Sequence, residues 1–249
     1  MDIRIIGKPG SKAVKRLLNR TDLKRYNKKC EIVVNYGLAG ARFKKFIDKH
    51  PSIMKKPIIN RDVGHSKYRM IQIAEKNGIL VPSSYISLPK TCKTSNFISK
   101  KFFSQGGLGI VKAKTKKMRE GRYYQEFIKT RDYELRIHGF LWMDKPYWLT
   151  QKRFGKKDVI AWNYSKGGTF QTVNDPRAFT EAKDITDRIL NLNRMSFGAV
   201  DFIVDNSGNL FFLEINSSPG FTELSEGYYV EAFNKLKKLN KKSILKYCN

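Results

Sequence analysis

The sequence predicts a mixed α/β protein of the α+β kind, and three observations carry that expectation. Short apolar strand candidates alternate with basic helical stretches over the first sixty residues. Strand candidates then crowd residues 96–152, and an apolar hairpin over residues 197–216 lies between two amphipathic helices.

Taken in order, residues 2–6 and 31–34 read as strands, with basic helical stretches around 13–19 and 41–50. A helix of about a dozen residues begins at Ser66, an acceptable N-cap, and stops at Asn77-Gly78, ahead of Val81-Pro82. Strands are expected at 97–103, 110–113, 123–128, 135–141 and 147–152, broken by a glycine-rich loop and by polar turns. A helix around 178–191, the hairpin, and a lysine-rich amphipathic helix from 226 to about 239 complete the chain. No internal repeat is evident. The expected division is a short N-terminal α/β domain at 1–60, a central lobe with the glycine loop at 61–128, and a C-terminal lobe at 129–249.

The chain has 249 residues, 41% hydrophobic and 12% aromatic, which is the composition of a globular protein with a sizeable core. Its formal net charge of +27 and pI near 10.0 predict attraction to polyanions: nucleotides, nucleic acid, ribosomal components or acidic peptides. Lysines spread over solvated faces would satisfy the same composition. The three cysteines, Cys30, Cys92 and Cys248, are far apart and odd in number, so no disulfide framework is expected and a reducing cytoplasm is the natural compartment. Neither a signal-like apolar stretch in residues 1–16 nor a bilayer-length apolar run is present, so a soluble protein with no membrane partner is expected.

Within the hairpin, residues 197–204 and 210–215 are strand-like and Asp205-Asn206-Ser207-Gly208 is turn chemistry. Pairing Asn206 with Asn209 across a two-residue turn places Asp201 opposite Glu214. Asn216 shares the face of Glu214, because side chains alternate along a strand. Two carboxylates facing each other destabilise a sheet unless a cation lies between them. Mg2+, or Mn2+ in its place, suits such oxygen donors, since it takes one or two carboxylates and shares itself with substrate phosphates. Acids turned to water are the plainer alternative.

Further candidates lie upstream. Lys100 precedes the loop Ser104-Gln105-Gly106-Gly107-Leu108-Gly109, whose backbone N–H groups could close over phosphates; it is not a Walker A loop, and taken alone it reads better as an ordinary flexible hairpin. Glu134, Arg136 and His138 share a strand face. Arg136 suits a phosphate or carboxylate and Glu134 suits ribose hydroxyls, with a plain cross-strand ion pair as the competing reading. His138 has no second histidine at ligand spacing and reads as structural. Arg153 and Asn163 offer directional donors for an anion, ahead of a Lys166-Gly167-Gly168 turn.

The order of these pieces resembles the ATP-grasp superfamily, and within it the RimK-like amino-acid ligases that add glutamate to the C-terminus of a ribosomal protein. The resemblance spans roughly residues 60–221 and is most specific at Glu214-Ile215-Asn216-Ser217-Ser218-Pro219-Gly220 and at Asn163-Tyr164-Ser165-Lys166-Gly167-Gly168. It implies an ATP-grasp fold, two α+β lobes sandwiching ATP, here with a shortened N-terminal α/β domain. It further implies that Lys67 and Lys100 contact ATP phosphates, with Gly107 and Gly109 in the loop above them. By the same likeness Gln125, Glu126, Phe127 and Ile128 form a hinge whose backbone meets adenine, and Glu134 contacts the ribose. Arg136 and Arg153 then hold the transferring phosphate and acyl intermediate with Asn163 beside them, while Asp201, Glu214 and Asn216 match the magnesium ligands. Ser104 stands where the family has a glycine, which leaves Lys101 as a substitute for Lys100.

The activity so implied is ATP-dependent carboxylate–amine ligation through an acyl phosphate, with an amino acid as one substrate and a protein, ribosomal or nucleic-acid acceptor as the other. Related ligases commonly self-associate, so a homo-oligomer is open. Two rivals stand beside it. One is an ATP-grasp kinase of an anionic small molecule, and the other a nucleic-acid-binding protein with a lapsed ATP site. The residues 106–109 and 164–169 are expected to act as lids on account of their glycines.

Overall fold

The computed structural model describes residues 1–104, 108–156, 159–160, 162 and 167–248. Three sheets organise it. The first is parallel, in the order β2 (Lys24–Arg25), β1 (Ile3–Gly7), β3 (Ile32–Tyr36) and β4 (Ile58–Ile59), with α1 (Lys12–Arg20) and α2 (Gly40–Lys49) as connections. Its central strand is buried throughout, which explains the unbroken run Ile32-Val33-Val34 in place of an alternating pattern. Ser11 caps α1 by accepting from the Val14 N–H at 3.3 Å.

After α3 (Lys67–Lys76), capped by Ser66 as expected, comes an antiparallel sheet ordered β5 (Ser84–Tyr85), β8 (Arg122–Glu126), β6 (Phe97–Lys101) and β7 (Val111–Lys112). The third sheet is also antiparallel, ordered β11 (Thr169–Val173), β10 (Leu149–Phe154), β9 (Arg131–Phe140), β12 (Phe197–Asp205) and β13 (Leu210–Asn216). Helix α4 (Thr180–Leu192) packs on β9 and β12, and α5 (Glu223–Lys238), started by a Thr222/Ser225 capping box, precedes the short α6 (Lys241–Leu245). Among the described residues no helix is long and apolar enough to cross a membrane.

One aromatic core joins the first sheet to the third. Tyr36, Phe140, Phe197, Tyr229 and Phe233 are fully buried together, and the Tyr36 hydroxyl donates to the Pro219 carbonyl at 3.1 Å. Asn60, at φ 58°, uses its side chain on that seam: it accepts from the Ser196 N–H at 2.7 Å and donates to the Phe197 carbonyl at 2.8 Å. The start of β12 and the chain after β13 are therefore tied to the N-terminal segment.

Two sequence expectations are corrected here. The hairpin turn has three residues, not two: Asp205 N–H donates to the Asn209 carbonyl at 3.2 Å, and Gly208 sits at φ 82°. Phe202 consequently faces Phe212, and a bulge at Leu213 then restores the register so that Asp201 still faces Glu214. The second correction lies at Arg131 and Asp132, expected in a polar Lys129–Asp132 turn. They belong to β9, because β12 runs alongside as far as Asp205, which pairs with Arg131.

Candidate active site

Between the second and third sheets runs a narrow cleft floored by β8, β9, β12 and β13 and closed at one end by the start of α3. Strand alternation decides which lysine enters it. Lys100 is 5% exposed and donates to Gln125 Oε1 at 2.8 Å, whereas Lys101 is exposed and lies along Gly109. Burial, chiefly, lowers the Lys100 ammonium to a pKa of about 8; Glu214 opposes that shift and Lys67 adds to it.

Across the cleft, Lys67 pairs with Glu214 Oε2 at 2.5 Å. Asp201 is 3% exposed and meets Arg136 through two parallel bonds, Nε to Oδ1 at 2.6 Å and Nη2 to Oδ2 at 2.7 Å. Burial raises the Asp201 carboxyl while Arg136 and then Arg153 lower it, and the guanidinium pairing prevails, leaving it at about 2. The Arg136 guanidinium is correspondingly held above its ordinary value, its burial outweighed by Asp201. Asn216 Nδ2 donates to Asp201 Oδ2 at 3.1 Å and lies 3.5 Å from Glu214 Oε1. Two carboxylates and an amide thus converge on one point, a donor set that fits Mg2+ sharing a site with phosphate oxygens. Among the described residues no group of three or more His, Cys, Asp or Glu side chains that could hold a metal ion is present.

Glu134, expected to meet ribose, has both oxygens engaged: Arg131 Nη1 donates at 2.9 Å and Arg153 Nη1 at 2.7 Å. Arg153 also approaches Asp201 at 3.8 Å. Of the expected hinge, Gln125 turns inward to Lys100, while the Glu126 and Phe127 N–H groups donate to the Ser83 and Asn96 carbonyls, each at 2.8 Å. Ile128 lines the cleft, and its N–H meets no acceptor among the described residues. His138 is buried between Tyr229 and Gln151, at 3.2 and 3.1 Å, and burial, then Arg136, lowers it to about 3, so it is a neutral structural bridge. Gly107 and Asn163 lie outside the described residues, as do parts of both expected lids.

Sequence reasoning missed Arg131 and Trp162. Arg131 stacks over the Trp162 ring at 3.6 Å and donates to the Val159 and Ile160 carbonyls at 2.8 and 3.2 Å, so it ties the chain after β10 to Glu134. An arginine three residues ahead of an acid, Arg131 and Glu134, was the available signal. Free space in the cleft is about 70 Å³. Ligand sites hold roughly 300–1,000 Å³, so a ligand of that size would need the walls to part.

A solved structure of the ATP-grasp ligase PsnB complexed with a minimal precursor matches 94% of this chain and 99% of its own, at TM-score 0.65 and 13% identity. The chain has the ATP-grasp fold. Macrocyclase MdnC from Microcystis aeruginosa bound with precursor peptide MdnA matches at TM-score 0.60 and 15% identity, over 96% of this chain and 99% of that one. D-alanine–D-alanine ligase from Bacillus anthracis complexed with ATP matches at TM-score 0.60 and 13% identity, over 94% of each chain. The family described as D-ala D-ala ligase C-terminus matches residues 170–236, the stretch that includes β12, β13 and most of α5. No curated relative matches.

Proposed function

We propose that this protein is an ATP-dependent carboxylate–amine ligase of RimK-like type, which activates a carboxylate as an acyl phosphate and passes it to an amine. The observation that carries this reading is the convergence of Lys67, Lys100, Asp201, Glu214 and Asn216 on one cleft of the ATP-grasp fold. Asp201, Glu214 and Asn216 would hold Mg2+. When bound, that ion supplies neutralisation of charge on the phosphate oxygens during transfer.

The chain's own residues do the rest. Lys67 and Lys100 place positive charge beside the transferring phosphoryl group, and Arg136 and Arg153 fix the positions of Asp201 and Glu134. A substrate carboxylate oxygen attacks the γ-phosphorus and ADP leaves. The amine nitrogen then attacks the acyl carbon, inorganic phosphate leaves, and the nitrogen sheds a proton. No protein nucleophile is needed, which accords with the absence of a Cys–His or Ser–His pair in the site among the described residues. Ile128 offers its backbone N–H to the adenine edge, and Glu134, set by two guanidinium groups, stands at the ribose position.

The test is phosphate release with MgATP, pooled amino acids and candidate carboxylates. Free phosphate that appears only when carboxylate and amine are both present supports ligation. A phosphorylated product retaining the γ-phosphate would assign a kinase instead, and salt-sensitive RNA binding without turnover would assign a lapsed site.

A further inference from the structure

A second cleft, of about 700 Å³, opens on the far side of the Lys67–Glu214 pair. Those two residues line both clefts. Its other walls come from the loop before and the start of α2, from residues 63–65, from the end of β6, and from the chain after β13. These walls are locked together. Gly37, at φ 76°, lies so close to Ser218 that a Cβ there would come within 2.2 Å of the serine Cβ.

Its charge is one-sided. Lys8 and Arg42 line this cleft, and Glu214, already paired with Lys67, is the acid among its lining residues. Elsewhere in the N-terminal sheet acids find partners: Asp2 pairs with Arg4, Asp22 with Lys237, and Glu31 with Lys241. Among the described residues no acid pairs with Lys8 or Arg42. The two cations are near enough that burial and Arg42 together lower the Lys8 ammonium from its ordinary value. Lys8 is partly buried and Arg42 exposed on the cleft wall, and like charges lining one cleft are relieved when an anion joins them. Phe103 and Leu108, each 71% exposed, supply an apolar wall on the glycine-loop side.

We propose that this cleft seats the carboxylate substrate, and that Lys8 and Arg42 select one carrying a second anionic group. The inference rests on the ligase reading. The reacting carboxylate lies toward Glu214 and Asn216, where the phosphoryl group is transferred. The second anion lies toward Lys8 and Arg42, and the apolar wall covers the stem between them. A carboxylate and a phosphate share the chemistry that this pair recognises, so the probes include both.

Glutarate, O-phosphoserine and butyrate are titrated calorimetrically into wild-type protein, Lys8→Met, Arg42→Met and the control Lys44→Met, a substitution of an exposed α2 lysine outside the cleft. Glutarate or O-phosphoserine should bind at least tenfold more tightly than butyrate, and whichever is tighter identifies the second group. Each cleft variant should lose at least tenfold for the dianion while Lys44→Met changes less than twofold. In turnover the same variants should raise KM for the dianion with KM for MgATP unchanged. Equal binding of butyrate and both dianions, or unaltered affinity in both cleft variants, overturns the proposal. Absence of phosphate release from every carboxylate–amine pair overturns the ligase reading instead, because the binding measurement needs no turnover.

Discussion

Lys67 at the start of α3 and Glu214 on β13 meet at 2.5 Å, on the partition between the two clefts. Under the proposed ligase reading Lys67 would leave Glu214 for a phosphate and Glu214 would take a metal ion, so nucleotide binding would exchange one pairing for two.

Glu214→Ala is therefore expected to abolish every product of the wild-type reaction while leaving the fold intact. The side chain keeps 20% exposure, so its removal should cost no more than about 1–2 kcal/mol. Turnover and thermal unfolding on the same sample check this; loss of activity accompanied by unfolding would place Glu214 in the framework and not in the chemistry.

Arg136→Ala behaves differently. It strands the buried Asp201 charge, which should destabilise the protein by about 3–5 kcal/mol at neutral pH. Arg136→Met combined with Asp201→Asn should recover much of that loss. The folded Asp201 carboxyl, at about 2, lies below its ordinary 3.8, so the contribution is present above pH 4 and disappears as pH falls toward 2. Urea unfolding of the wild type and the two variants between pH 2 and 7 measures it.

For Lys100 the contribution at neutral pH is unfavourable instead. Its ammonium is lowered from 10.5 to about 8, so the unfolded chain binds the proton more readily between those values, and this group's contribution to stability rises as pH climbs from 8 to 10.5. The shift corresponds to on the order of 3 kcal/mol of unfavourable burial at neutral pH. Lys100→Met should accordingly raise Tm while weakening ATP binding at least tenfold. Wild-type affinity for MgATP should itself decline above pH 8 as the free protein loses that charge.

Much of this was legible before the structure because strands alternate. Asp201, Glu214 and Asn216 could be placed on one face from their spacing, and Ser66 announced the helix that carries Lys67. The turn was misjudged by one residue, yet the site was unaffected, since the Leu213 bulge absorbs the difference; a bulge leaves no mark in an apolar strand. Arg131 was read as turn because Lys129-Thr130-Arg131-Asp132 is polar, and only the length of the facing strand β12 shows that it belongs to the sheet. The pairing of Lys8 with Arg42 needed the fold, because 34 positions of sequence separate them.

Trp162 supplies an optical report. Buried at 3% exposure beneath Arg131, it lines the narrow cleft proposed for the nucleotide, whereas Trp142 and Trp148 lie in apolar cores. Adding MgATP should change the intrinsic fluorescence saturably, and Trp162→Phe should remove the response without removing binding measured by calorimetry.

The most direct measurement is a crystal structure with Mg2+ and a nonhydrolysable ATP analogue. The account predicts an ion about 2.0–2.1 Å from oxygens of Asp201 and Glu214, with Asn216 beside it and the γ-phosphate between Lys67 and Lys100. A nucleotide bound elsewhere, with Lys67 still on Glu214 and Arg136 still covering both Asp201 oxygens, would contradict it.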